Sequence, residues 1–155
     1  MKFLKMTSEE HKDYIDHLIP LFADQIADAY GLPKNEETLG IAKDKIRFVL
    51  RDGQDTPNYY FFHLSEKKQK VGHIWFSFEQ DFNEHVVYLH YIDILPEHRG
   101  KGFGQKALAE MISYAKEHGQ CQQVMLNVYT NNDAALGLYK KMGFGSLNTI
   151  MRKSI

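Results

Sequence analysis

The chain has 155 residues, 43% hydrophobic and 25% charged, with 19 Lys plus Arg against 20 Asp plus Glu for a formal charge of -1. That length and balance suit one soluble globular domain, residues 1–155, and exclude a global field that would gather nucleic acid or an anionic membrane, so any anion site must be local. The single Cys121 excludes an internal disulfide framework, no run of about 18 apolar residues is present to span a bilayer, and the start MKFLKMTSEEH lacks a signal peptide's apolar core; the cytoplasm is the expected compartment.

A short apolar segment, Lys2 to Met6, is followed by a capping pattern at Thr7, Ser8 and Glu10, ahead of Tyr14, Leu18, Phe22 and Ile26 at helical spacing. Pro20 is expected to kink or divide that helix and Gly31 to end it. A second helical pattern runs through Leu39, Ala42, Ile46 and Leu50. Tyr59 to Leu64 and Lys70 to Phe78, separated by the polar SEKKQ, read as a hairpin, and Val86 to Leu95 as a third strand. Leu108, Met111, Ile112 and Ala115 then mark an amphipathic helix that Gly119 stops, and Val124, Leu126 and Val128 alternate as a strand. This strand, helix and strand form a βαβ unit with parallel strands. Ala135, Leu138, Tyr139 and Met142 share one face of a last helix, and a terminal strand is expected after Gly143. The order β-α-α-β-β-β-α-β-α-β gives the class α+β, with a mixed central sheet flanked by helices.

The turn between the third strand and the helix it feeds reads RGKGFG, with Gly100, Gly102 and Gly104 beside Arg99 and Lys101. A helix N-terminus offers unpaired N–H groups and a partial positive charge, and glycine lets the backbone approach an anion closely. The turn therefore suits a phosphate, although glycines and solvated cations also make an ordinary tight turn. A Walker loop is excluded because Gly102, not a hydroxyl residue, follows Lys101. A Rossmann fingerprint is excluded because its third glycine would fall on Gln105, and the next strand, VMLNVYT, lacks the acidic residue for a ribose.

Arg-x-x-Gly-x-Gly at Arg99 to Gly104 follows a strand ending IDILPEH and precedes LNVYTNNDAALGLYKKMGF. The combination closely resembles the GNAT superfamily of acetyl-coenzyme A dependent N-acetyltransferases, in which [RQ]-x-x-G-x-[GA] is followed by a helix, a strand and N-x-x-A-x-x-L-Y-x-x-x-G-F. Asn132, Ala135, Leu138, Tyr139, Gly143 and Phe144 match the second pattern. The resemblance covers Tyr59 to Phe144; the first 58 residues carry no shared motif.

The resemblance implies an N-acetyltransferase domain with parallel strands splayed between Val86–Leu95 and Val124–Tyr129, transferring acetyl from acetyl-coenzyme A to a primary amine of a small molecule or polypeptide. Arg99, Gly100, Lys101, Gly102, Phe103 and Gly104 would hold the pyrophosphate, and Ile92, Asp93 and Ile94 would offer strand-edge backbone to the pantetheine arm. Such an edge has unpaired amides to match those of the arm. Tyr139 is the expected general acid for the departing thiolate, its phenol being protonated at neutral pH, and an aromatic on that face is also core packing. His90 is the first candidate for the base, on a parity shared with Tyr88, Ile92 and Ile94; Asp93 has the opposite parity unless a bulge turns it, and a bound water is a third option. Asn132 either bonds the pantetheine arm or caps the last helix.

Cys121 suggests an acyl-enzyme route, but no histidine adjoins it in sequence, and direct transfer in a ternary complex is expected. The histidines show no metal-binding spacing, so no metal is expected. Asp24, Asp28, Tyr30, Glu36 and Glu37 suit a cationic acceptor or an ordinary solvated helix end. The chain stops soon after Phe144, so the pocket is expected to be open or to be completed by a second subunit in a homodimer. A catalytically silent coenzyme A-binding regulatory or interaction module is the alternative reading.

Overall fold

Thr7 opens the first helix as its spacing predicts. In a computed structural model, which describes residues 1–153 and 155, the Glu10 N–H donates to the Thr7 hydroxyl (3.2 Å) and the Thr7 N–H to the Glu10 carboxylate (2.8 Å). This reciprocal box satisfies donors that a helix start leaves orphaned, and α1 runs Ser8–Tyr30. Pro20 does not divide it. Proline removes one backbone donor, but Tyr14, Leu18 and Ile26, each at most 5% exposed, anchor α1 on both sides of that gap. The Asn35 side chain accepts from the Thr38 N–H and starts α2, Glu36–Val49.

Five strands form one sheet in sequence order: β1 (Lys2–Lys5), β2 (Tyr59–Glu66), β3 (Gln69–Asp81), β4 (Glu84–Ile94) and β5 (Gln123–Leu126). The first four pair antiparallel and β4 pairs β5 in parallel, so the sheet is mixed as expected. The parallel pair requires a crossover, supplied by α3 (Phe103–His118); α4 (Asp133–Lys141) follows β5.

Helices cover both faces. On one, Ala107, Leu108, Met111 and Ala115 of α3 bury against Phe62, Ile74, Phe76, Val87 and Leu89, with Leu138 and Tyr139 of α4 at the margin. On the other, Tyr14, Leu18 and Ile46 pack on Phe61 and Trp75. Fully buried side chains such as Leu64, Ile74 and Phe76 contribute about 1.5–3 kcal/mol each by leaving water.

The expected terminal strand is absent: among the described residues none follows α4. Leu147, Ile150 and Met151 are 83–89% exposed, so this apolar run meets no sheet face that would fix it as a strand. Its far end is tied instead to α1, where Arg152 donates to the Tyr30 carbonyl (2.8 Å) and lies over the Tyr30 ring.

β4 carries one residue more than β3 can match. Tyr91 faces Trp75 and Leu89 faces Phe76, which leaves His90 as a bulge. The parity expected for His90 is therefore corrected. His90 shares a face with Tyr88, Tyr91 and Asp93, toward α1 and α2, whereas Ile92 and Ile94 pack toward α3 and α4.

Candidate acetyl-transfer site

The parallel pairing of β4 and β5 ends at Leu89 and Leu126, yet β4 continues to Ile94. The two strands thus part beside residues 90–94, within the Val86–Leu95 and Val124–Tyr129 segments between which the resemblance implies a splay. Ile92, Asp93 and Ile94 lie on this stretch, still paired to β3 on the other side.

The loop beyond it is braced by its own cations. Arg99 Nε donates to the Ile94 carbonyl and Lys101 Nζ to the Glu97 carbonyl, each at 2.8 Å. Both side chains thereby hold the turn against the end of β4. Gly100 and Gly102 adopt φ of +72° and +77°, left-handed values that suit glycine. Gly104 answers a different need: a Cβ there would sit 3.1 Å from the Leu138 side chain, so its absence lets α3 and α4 approach.

The start of α3 differs from the other helix starts. Thr7, Asn35 and Asn132 each cap their helix with a side chain, and acidic residues occupy those first turns. Gly102 provides no side-chain cap to α3, and its first turn has no acid. Phe103 and Gly104 thus lie in a turn whose N–H groups and dipole favour an anion. Asn132 accepts from the Ala135 N–H at 3.1 Å, which is its capping role; its amide N–H groups remain for other bonds.

Tyr139 is half-buried on α4, its ring 5.5 Å from that of Phe144, and burial pushes its phenol above the ordinary value of 10.0. It stays protonated at neutral pH. Cys121 is buried in the core beneath α3, with its thiol likewise pushed up, the opposite of what an attacking thiolate needs.

His90 is stacked on Trp75 (4.8 Å) and Tyr59 (5.2 Å). Burial lowers its pKa from 6.5 to about 4, so the ring is neutral at pH 7. Its Nε2 lies 2.7 Å from the Ser77 hydroxyl, which donates to Glu79 at 2.6 Å. With the one serine proton given to Glu79, Ser77 Oγ accepts from Nε2–H, and Nδ1 keeps the basic lone pair. Ser77 and Glu79 escaped the sequence reading. The available signal was a pair of polar residues two apart in the apolar strand WFSFEQ.

Asp93 shares the face of His90 because of the bulge, but its carboxylate is 3.2 Å from His73 Nδ1. The Tyr14 ring lies tilted against His73 with centroids 5.1 Å apart, and burial together with the Asp93 charge raises its phenol well above the usual range. Asp24 and Asp28 pair with Lys34 at 3.8 and 3.1 Å, which supports the solvated helix-end reading of that segment.

A cavity of about 130 Å³ opens beside His90 between α1, α2 and the sheet, with Trp75 and Tyr91 on its wall. A larger, open groove of about 470 Å³ lies between β1 and α3, along Phe3 and Tyr114; it touches none of the candidate residues, so its size carries no functional weight. No helix among the described residues is long and apolar enough to cross a membrane.

Residues 21–144 match the model of the acetyltransferase (GNAT) family. The uncharacterized N-acetyltransferase YdgE of Bacillus subtilis is 26% identical over 151 residues, covering 97% of this chain and 95% of that protein. The spermine/spermidine N(1)-acetyltransferase of the same organism is 31% identical over 105 residues, 65% of this chain and 69% of that protein. The crystal structure of the uncharacterized N-acetyltransferase YycN, also from B. subtilis, superposes with a TM-score of 0.90 at 24% identity, covering 99% of this chain and 98% of that one, and shares the fold. With residues 21–144 matched by the family model and the fold shared with a solved structure, this chain belongs to the GNAT family of N-acetyltransferases.

Proposed function

We propose that the protein transfers an acetyl group from acetyl-coenzyme A directly to a primary amine in a ternary complex. The observation that carries this reading is the parting of β4 from β5 beside the uncapped start of α3. A ligand with a pyrophosphate and a string of amides matches both features at once. Acetyl-coenzyme A supplies the activated thioester.

The N–H groups at the start of α3, with Arg99, Gly100, Lys101, Gly102, Phe103 and Gly104, bind the pyrophosphate in this reading. The edge at Ile92, Asp93 and Ile94 orients the pantetheine arm, and the Asn132 amide reaches it from α4. A β4 N–H beside the bulge offers a donor to the thioester oxygen as negative charge develops there. His90 Nδ1 accepts the proton of the attacking amine. A neutral imidazole is ready for this, while its low pKa makes it a relay that passes the proton on rather than storing it. Tyr139 gives its phenolic proton to the departing sulfur. One C–N bond replaces one C–S bond; the amine proton leaves through His90 to solvent, and solvent returns a proton to the Tyr139 phenolate, which restores both groups.

The test is release of free thiol from acetyl-coenzyme A in the presence of an amine panel, with mass spectrometry of the products. Amine-dependent thiol release and N-acetyl products are expected. Tight coenzyme A binding with no amine-dependent release would instead make the protein a coenzyme A-binding module.

A further inference from the structure

The cavity beside His90 has a wall chemistry that selects among amines. Leu18, Phe22, Ile46 and Val49 form its helix side. Its volume of about 130 Å³ is close to that of a cavity of roughly 150 Å³ that admits benzene. One leucine- or phenylalanine-sized side chain fits it.

Among the described residues, the one cation on the same wall is Lys45. Lys45 is exposed at the cavity and forms no salt bridge among the described residues. Trp75 is 5% exposed, and its indole N–H is buried without an acceptor. No carboxylate lines the cavity. Carboxylates on the surrounding elements are engaged: Glu79 accepts from Ser77, Asp93 faces His73, and Asp24 and Asp28 pair with Lys34. An ammonium placed among these apolar walls would be unpaired and costly, whereas a carboxylate would meet the Lys45 ammonium.

Resting on the acetyltransferase reading above, we infer that the acceptor is a free α-amino acid with an apolar side chain. Its side chain fills the cavity, its carboxylate meets Lys45, and its α-amine is presented to His90. The cavity has room for one side chain, and a residue within a peptide chain would bring Lys45 no carboxylate. A polyamine finds neither a counter-charge nor a need for its length.

The experiment compares kcat/KM, from thiol release, for L-leucine, L-leucinamide, 3-methylbutylamine and spermidine. Leucine should exceed 3-methylbutylamine, its decarboxylated counterpart, by about ten- to a hundredfold, the value of one charge-assisted contact. Lys45→Met should collapse that ratio to within about threefold, an order-of-magnitude expectation for loss of this one contact, and Lys45→Arg should keep most of it. Trp75 is the sole tryptophan, so with coenzyme A present leucine should shift its emission saturably and spermidine should not. A preference for spermidine, leucinamide matching leucine, or a ratio insensitive to Lys45→Met overturns the inference while leaving acetyl transfer standing. Failure of every amine to release thiol overturns both readings.

Discussion

Replacing His90 by glutamine should make folding stability less dependent on pH, and the size of the change follows from the structure. The ring is held between Trp75 and Tyr59 with a pKa of about 4, against 6.5 when unrestrained. Below pH 6.5 the unfolded chain takes up a proton at this position and the folded chain does not. The folded state therefore enjoys its full margin above 6.5 and loses it as the pH falls toward 4. At about 1.4 kcal/mol for each pH unit between the two midpoints, the loss is about 3 kcal/mol, a large part of a typical total of roughly 5–15 kcal/mol. Buried His11 and His63 are lowered in the same direction and add to the same window.

Urea unfolding at pH 7, 6, 5 and 4.5, followed by circular dichroism, isolates His90 as the pH-dependent part of the difference between wild type and His90→Gln. Trp75 gives a direct check, because a protonated imidazole stacked on an indole quenches its fluorescence. Native-state quenching should have its midpoint near pH 4. A pH-independent stability difference, or a quenching midpoint near 6.5, would refute the argument that burial sets the charge of this ring.

Arg99→Ala should weaken acetyl-coenzyme A binding by about ten- to a hundredfold, as loss of one charge-assisted bond, with the fold intact; unchanged affinity in calorimetry would remove that side chain from the pyrophosphate site. At Gly102, where φ is +77° and an added Cβ meets no protein atom within 4 Å, valine should cost about 1–3 kcal/mol of stability through backbone strain. It should also weaken cofactor binding, measured in the same titration on folded protein, because the new side chain enters the anion's space; normal binding would count against the loop. Tyr139→Phe keeps the ring packed and removes the acid, so kcat should fall about 10²- to 10⁴-fold with little change in cofactor affinity or stability. Wild-type turnover in single-turnover measurements would return Tyr139 to a core aromatic.

Local signals were legible in the sequence and pairwise ones were not. The capping box at Thr7 and Glu10, the hairpin around SEKKQ and the βαβ loop depend on neighbouring residues, and the structure has all three. The facing of His90 depends on how β4 pairs with β3, and no count along β4 alone reveals the extra residue. Ser77 lies 13 residues from His90 and meets it only through that pairing. Lys45 reaches the same cavity through the docking of α2, equally distant from any linear pattern. The expected final strand had the apolar content of a strand, but lacked a surface on which to form one.

The bulge makes the length of β4 matter in a way that its composition does not. Because His90 is the residue that β3 does not match, a natural deletion of one residue there would close the bulge, keep Tyr91 opposite Trp75 and Leu89 opposite Phe76, and leave Tyr91 to Ile94 on their present faces. A second deletion would find no spare residue to absorb it: Asp93 would be driven toward the layer of Leu108 and Met111, and Ile92 and Ile94 would be turned toward the polar face under α1. Exchanging His90 for another residue alters one side chain while keeping the count. Lineages of this chain should therefore keep the facing of Ile92, Asp93 and Ile94 with or without the extra residue, and any further change in the length of β4 should come in pairs.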